Sequence, residues 1–520
     1  MAERDAQARG SWLGALERAG NALPDPATLF LLGALAVMAA SHLVAGAGWS
    51  VERTVVQEGE RVAVTVGARS LLSADGVYWA LANLVKSFVE FPPLGVVLVG
   101  MLGIGVAERS GFIGAALKAV MLAVPAWLLA PTLMFVGVMS SMGLDAGYVV
   151  LPPVAAALYR AVGRSPLVGL ATVFAGVSAG FSANLFVTSL DPMLAEFSTA
   201  AAQLRDPGYR VAATANWWLM IASTFLLTGV GWAVTSLWVE PRWRGRPADE
   251  GGPAALDASE LESQRLGPEQ RRGLVWALLA LAATLAAFAA ATWIPGAPLH
   301  DPTGGSPRWI PVIVPLLFLA FLVPGVAYGV SVGEVRSDRD VARMMGETMA
   351  GMGSYLVLAF FAAQFIAWFR YSGLGEMLAI AGGELLVRAA LPTAGLMVSF
   401  VFVVGVANLF IGSMSAKYAF FAPVFIPMFM AVGVSPELTQ ATYRIGDSVT
   451  NVITPLNPYV VILLVFVRRY APRSGIGTLV ALMLPYTLAF GAAWLVLLLV
   501  WLAAGWELGP AGPLEYLPTP

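Results

Sequence analysis

Apolar runs separated by short polar ones fill this chain almost from end to end. The runs at 27–45, 217–237, 274–294, 310–330 and 478–501 each approach the ~20 residues that a helix needs to cross a bilayer. A further apolar run, 78–107, reads as a segment kinked at Pro92 and Pro93, and 113–139 as one interrupted at Pro125 and Pro131. The runs at 148–158, 355–369 and 418–432 are short, 393–410 goes into the membrane, and 167–190 and 438–467 are long but broken by Gly, Pro and polar residues. Polar stretches punctuate these runs. Residues 51–73 predict a small extended loop, 240–272 a solvated cytoplasmic loop with capping-box spacing at Ser259 and Glu262, and 331–351 an amphipathic surface helix. The pair Glu384 and Arg388 reads as interfacial.

Composition narrows the class. The chain has 520 residues, 58% hydrophobic and only 12% charged, against about 25% charge in soluble domains. This predicts a polytopic membrane protein in contact with a lipid bilayer. There is no cysteine, which removes disulfides, thiolate metal sites and cysteine nucleophiles. The histidines are His42 and His300 alone, too separated to suggest a zinc site or a triad. The net charge is −2 and no basic tract points to nucleic acid. No nucleophile, base and metal set is assembled, so an enzyme is not expected.

The most polar part of the apolar region is 408–458. It reads N-L-F-I-G-S-M-S-A-K-Y-A and then, from Arg444, R-I-G-D-S-V-T-N-V-I-T-P-L-N-P. A charge at membrane depth costs roughly 2.5–3.5 kcal/mol on insertion scales and marks a functional site by default. Irregular backbone at that depth is tolerated only where protein buries it or it lines a cavity.

Part of the chain repeats at a separation of about 270 residues. Gly163-Arg164-Ser165-Pro166 matches Gly433-Val434-Ser435-Pro436, Tyr148 matches Tyr418, and Pro153 matches Pro423. With a small shift Asn184 matches Asn451, and Leu190-Asp191-Pro192 matches Leu456-Asn457-Pro458. Each copy reads as a span, a re-entrant hairpin with a Ser/Gly-rich tip, and a broken helix. The fold predicted is an all-α polytopic membrane protein of about nine transmembrane helices plus two re-entrant helical hairpins in inverted repeats, a transporter signature. The arginines of 240–272, of 336–343 and of 468–473 then fall inside, and the C-terminal tail, which lacks Lys and Arg, falls outside. The expected division is 1–26 cytoplasmic N-terminus, 27–77 first span and external loop, 78–200 first repeat, 213–237 span, 238–272 cytoplasmic loop, 273–330 two spans, 331–467 second repeat, 476–503 last span and 504–520 external tail.

The chemistry expected of the breaks is ionic. Asp191 closes the first broken helix after Ser182 and Asn184, and Asp447 sits in the second with Asn451, Thr454 and Asn457. Such oxygen-bearing side chains, with carbonyls freed at helix breaks, suit sodium at Asn184, Asp191, Asn408 and Asn451. A desolvated carboxylate equally suits a proton. The bland alternative is interhelical hydrogen bonding. Arg444 and Asp447, three apart on one helix, are placed to pair. Arg444, with Lys417 as the weaker candidate, is placed to receive an anionic substrate, because the guanidinium fork binds a carboxylate bidentately. Tyr418 offers an aromatic face, and Asp145 is a further candidate at the first tip.

These motifs, with G-F-S-A-N-L-F-V-T-S-L-D-P at 180–192, F-P-P-L-G at 91–95 and G-I-G-V-A-E-R-S-G at 103–111, resemble the p-aminobenzoyl-glutamate transporter (AbgT) family over essentially the whole membrane part. The resemblance implies an inner-membrane homodimer with nine spans and two hairpins. It also implies uptake of p-aminobenzoyl-glutamate or efflux of sulfonamide antimetabolites. By position it places family functional residues on Asp191, Asn408, Ser415, Pro436, Arg444, Asp447 and Pro455, and a tyrosine at 418 where the family usually has tryptophan. The expectation is an ion-gradient-coupled secondary transporter of a small aromatic carboxylate or sulfonamide, with sodium or a proton as coupling ion and no other cofactor. A di- or tricarboxylate carrier and a channel stand as alternatives.

Overall fold

The computed structural model describes residues 26–57, 60–143, 146–253, 265–301, 308–454 and 457–518. The N-terminal 25 residues, Asp145, Ser259, Glu262 and Pro455 lie outside the described residues.

Apart from one antiparallel hairpin, β1 (Ser50–Gln57) and β2 (Glu60–Gly67), the regular structure described is helical. The helix α1 (Pro26–Gly46) precedes that hairpin, and the short α2 (Ala74–Ala82) and α3 (Leu84–Val89) follow it. Then come α4 (Pro92–Arg109) and α5 (Phe112–Leu122), bent by 58° at their junction. The run 78–107 is therefore not one kinked segment: the chain breaks after Val89, and Pro92 starts a new helix, where its missing N–H removes no bond.

The first hairpin is α6 (Leu129–Met139) and α7 (Ala146–Ala161). Pro125 ends the preceding helix as expected, but Pro131 sits in the first turn of α6 and interrupts nothing. The first broken helix is α8 (Pro166–Ala179), an irregular stretch, and α9 (Leu190–Ala202). Asp191 therefore opens the second half of this element instead of closing the first. The helix α10 (Trp217–Val234) follows, extended by a wide turn over Thr235–Val239.

Two long apolar helices, α11 (Pro268–Trp293) and α12 (Ile313–Val332), lead to the amphipathic α13 (Asp338–Gly351) and to α14 (Gly353–Tyr371). Next is α15 (Leu374–Ala389), a full helix where the sequence suggested only an interfacial pair. It turns by 118° into α16 (Thr393–Asn408). The second hairpin is α16 with α17 (Met414–Ala431). The second broken helix is α18 (Pro436–Thr450), a break, and α19 (Pro458–Tyr470), and α20 (Ile476–Ala504) is the last helix.

Among the described residues seven helices are long and apolar enough to cross a membrane, or up to nine if each bent pair is one span. The protein is a multi-pass helical membrane protein. The helix α11 shows why: Val275, Trp276, Leu278 and Leu279 all point outward, a surface that suits lipid and not water.

Both broken helices begin with the same local device. Gly163 and Gly433 turn the chain at φ +69° and +84°, and a serine and then a proline follow, with the proline at the first helical position. This is the physical content of the matched Gly-x-Ser-Pro segments. Each hairpin then packs backbone to backbone on its broken helix. A Cβ at Gly137 of α6 would lie 2.8 Å from the Val173 carbonyl, and one at Gly446 of α18 would lie 2.6 Å from the Val401 carbonyl.

The open ends of the two hairpins lie against opposite ends of α10, which is about 27 Å long at 1.5 Å per residue. At its far end Glu240 is paired by Arg164 from the base of the first hairpin. At its start Asn216 donates to the Glu437 carbonyl, 2.9 Å, just past the base of the second hairpin. The C-terminal strand of chain binds there too: Tyr516 N–H donates to Gly433 O at 2.8 Å, and Ser435 Oγ to Pro513 O at 2.6 Å. The bases of the two hairpins are therefore held at opposite ends of α10.

Candidate substrate and ion site

The two tips and the two breaks meet in a buried polar cluster. Arg444 and Lys417 are 1% and 0% exposed, and Asp191 and Asp447 are 6% and 0% exposed. Two positive and two negative side chains without solvent must be mutually compensated, since an unpaired buried charge is far too unfavourable to keep.

The pairing is not the one expected from helical spacing. Arg444 Nη1 donates to Asp191 Oδ1 at 2.5 Å and Nη2 to the Ser182 carbonyl at 2.9 Å, so its charge is answered across the molecule by the first break. Asp447 is taken instead by Lys417, with Nζ to Oδ1 at 2.6 Å. Lys417 does not reach out to the membrane interface but donates inward to Asn408 Oδ1 and, at 3.4 Å, to the Ile411 carbonyl. The i, i+3 neighbours Arg444 and Asp447 each go to a different element because better-placed partners arrive from elsewhere in the chain.

Other expected residues fall around these pairs. Asp191 Oδ2 accepts from the Thr188 N–H and hydroxyl at 2.6 and 2.8 Å, which holds the carboxylate toward Arg444. Asn408 Nδ2 lies 2.7–2.8 Å from the Asp447 carbonyl, Thr450 Oγ1 and Asn451 Oδ1, stitching the second tip to its broken helix. Asn184 does the same job in the first half, donating to Ser141 Oγ at 2.8 Å. Asn451 and Asn457 then reach across to Ser178 of α8. The four residues expected to hold sodium are thus split: Asn408 and Asn451 touch each other, whereas Asn184 and Asp191 have other partners.

Tyr418 is fully buried. Its hydroxyl lies 2.6 Å from Ser198 Oγ, and its ring centroid is 4.4 Å from that of Tyr443. Ser415 is half-buried, 3.4 Å from Ser413. Pro436 is at the start of α18, about 12 Å along the helix from Arg444. It serves as a helix start, and the structure does not bring it into the charge cluster.

Residues not singled out in the sequence complete the site. Glu437, Gln440, Arg444, Asp447 and Asn451 recur at helical spacing on one face of α18. Gln440 Oε1 accepts from Ser198 at 2.8 Å and Glu437 Oε2 from Tyr209 at 2.9 Å. That periodicity was present in the sequence; Ser198, on α9, carried no such signal. Among the described residues, the buried side-chain atoms without a partner here include Arg444 Nε, Asp447 Oδ2, Ser182 Oγ, Ser189 Oγ and Ser448 Oγ, so each charged pair keeps unused capacity beside it.

Two hairpins and two broken helices around paired buried charges are an arrangement met in membrane transporters. The chain matches the AbgT transporter family over residues 11–516 and belongs to it. It is 34% identical to the p-aminobenzoyl-glutamate transport protein of Escherichia coli (strain K12) over 96% of both chains. Its structure is similar to the Alcanivorax borkumensis YdaH transporter, described as having an unusual topology, at TM-score 0.85 and 44% identity over 94% of this chain and all of the other. It is also similar to Neisseria gonorrhoeae MtrF, described as illuminating a class of antimetabolite efflux pumps, at TM-score 0.88 and 39% identity over 94% and 97%. The relatives are transporters, and this protein is a transporter and not an enzyme.

Proposed function

We propose that the protein is a secondary active transporter that moves p-aminobenzoyl-glutamate, sulfonamide-type antimetabolites, or both, driven by a sodium or proton gradient. It works as a homodimer in the bacterial inner membrane, N-terminus in the cytoplasm and C-terminus outside, and its two hairpins belong to inverted repeats. The observation that carries this reading is the Arg444–Asp191 pair, because it joins the two halves through the one side chain suited to a substrate carboxylate.

In the closed arrangement Arg444 has no bidentate face to offer. A substrate carboxylate must take the place of Asp191. When Asp191 receives a proton or a cation from the driving gradient, it no longer needs Arg444, and the guanidinium turns to the substrate. The buried charge stays balanced, and substrate and coupling ion become linked without any further device. The second carboxylate, Asp447, is answered by Lys417.

The test is flux of radiolabelled p-aminobenzoyl-glutamate into proteoliposomes under separately imposed sodium and proton gradients, with succinate as competitor. Gradient-driven accumulation unaffected by excess succinate supports the reading. Competition by succinate transfers it to a dicarboxylate carrier, and single-channel conductance to a channel. For orientation, cysteines at Arg244 and Leu517, both exposed side chains at opposite ends of α10, are labelled with an impermeant thiol reagent in intact cells. Reaction at 517 alone is expected. The chain has no cysteine of its own to interfere. Gly512 is unsuitable for this purpose, since a Cβ there would lie 1.9 Å from the Ala215 carbonyl.

A further inference from the structure

Among the described residues of the two hairpin tips, Lys417 is the charged side chain that faces the cluster, and beyond neutralising Asp447 it has been given no role above. Its ammonium sits among three oxygens of different kinds: the Asp447 carboxylate at 2.6 Å, the Asn408 amide oxygen and the Ile411 backbone carbonyl at 3.4 Å. The carbonyl belongs to the unwound tip just beyond the C-terminal end of α16. A carboxylate, an amide oxygen and a carbonyl freed at a helix end make the donor set that membrane transporters present to monovalent metal ions. Here the cation inside that cage is a side chain.

Two comparisons support a specific role. The position matching Lys417 in the first hairpin is Gly147, where a Cβ would already lie 2.2 Å from Ser140 Oγ, so no lysine fits at that position. The cage also keeps a spare ligand: Asp447 Oδ2 is buried without a hydrogen-bond partner, as a metal ligand displaced by a monodentate ammonium would be.

We propose that the Lys417 ammonium is a tethered cation occupying a monovalent metal site, so that the second half of the transporter needs no sodium at this position. Coupling through the second half then proceeds without a bound metal ion, and a free cation enters the cage only when the lysine is removed. This rests on the transporter reading above.

The experiment compares the full-length wild type, Lys417→Ala, Lys417→Gln and Lys417→Ala/Asp447→Asn, purified in sodium and exchanged into choline. Thermal unfolding is followed while sodium chloride or potassium chloride replaces choline chloride at constant ionic strength. The wild type is expected to respond less than either single variant, since its cage at Asp447 is already filled. Lys417→Ala is expected to unfold at a lower temperature in choline and to regain several degrees, saturably, with sodium or potassium, because a ligand bound only by the folded state stabilises it. The double variant, without the carboxylate, loses that response. In proteoliposomes Lys417→Ala flux, taken relative to wild type in the same salt, falls at least tenfold in choline and recovers in part with the metal ion.

A wild-type response as large as that of Lys417→Ala, absence of any added response in both single variants, or an added response surviving in the double variant overturns the proposal. So does failure of both single variants to fold with sodium present throughout purification. Absent wild-type flux counts instead against the transporter reading, and leaves the unfolding comparison intact.

Discussion

The break after α8 and the break after α18 are built from the same backbone parts and carry their charge differently. Each broken helix starts with a left-handed glycine, a serine and a proline, each packs on a hairpin through a glycine, and each is stitched to its hairpin tip by an asparagine. The first break holds one charge of the cluster, Asp191, and the second holds Arg444 and Asp447, with Lys417 on its hairpin tip. Of these four cluster charges the first half supplies one negative, and the second half two positive and one negative. Joined, they cancel. The two breaks share their backbone device, and the Arg444–Asp191 pair that ties them together comes from the difference in their charges.

The comparison is most directly broken at that latch. Asp191→Asn and Arg444→Gln each leave one buried charge unanswered, a loss of about 3–5 kcal/mol. Gradient-driven flux in proteoliposomes should fall to background for each, with protein still present in the membrane. The double variant Asp191→Asn/Arg444→Gln should regain thermal stability and not flux. Recovery of flux in the double variant would make the pair a structural tie. Pairing Arg444→Gln with Asp447→Asn should recover nothing, because those two residues do not answer each other.

A smaller effect tests the fork. Arg444→Lys keeps the charge and loses the bidentate geometry. Binding of p-aminobenzoyl-glutamate should weaken about ten- to a hundredfold, as for loss of a charge-assisted hydrogen bond worth about 1.5–3 kcal/mol, and binding of a neutral sulfonamide should change less. Equal losses for both ligands in a direct binding measurement would separate Arg444 from the substrate anion.

The two stitches should differ as the charges do. Asn408→Ala removes contacts to Asp447, Thr450, Asn451 and Lys417, one of them to a charged group, so a loss of about 2–3 kcal/mol is expected. Ser141→Ala removes one neutral bond to Asn184, worth about 1 kcal/mol. Comparable shifts in thermal unfolding would mean that the second tip draws no stability from its charges. The smallest expected effect is Tyr418→Phe, about 0.5–1.5 kcal/mol from loss of the bond to Ser198. Its effect on flux should be weaker than that of any charge variant.

Much of this architecture was legible in the residue pattern, for reasons that can be named. The spans α11, α12 and α20 are recognisable because lipid-facing helices must be apolar all round. The hairpin bases are recognisable because a left-handed turn into a helix favours Gly, Ser and Pro at set positions. The membrane class and the transporter family follow from the same residues. The helix α15 was missed because its glycines, Glu384 and Arg388 interrupt an apolar run that neighbouring α17 helps to bury.

What only the tertiary structure decided is which charge answers which. Along the chain Arg444 and Asp447 are one helical turn apart, and local spacing makes them partners. In the folded protein Asp191 arrives at Arg444 from 253 positions away, held by Thr188, and Lys417 arrives at Asp447 from the hairpin tip. The sequence by itself determined that charge is placed at membrane depth and that two similar halves surround it. It could not determine the pairing, because in a medium without water each buried charge takes the partner with the best geometry and least desolvation, and that partner depends on how the two halves dock.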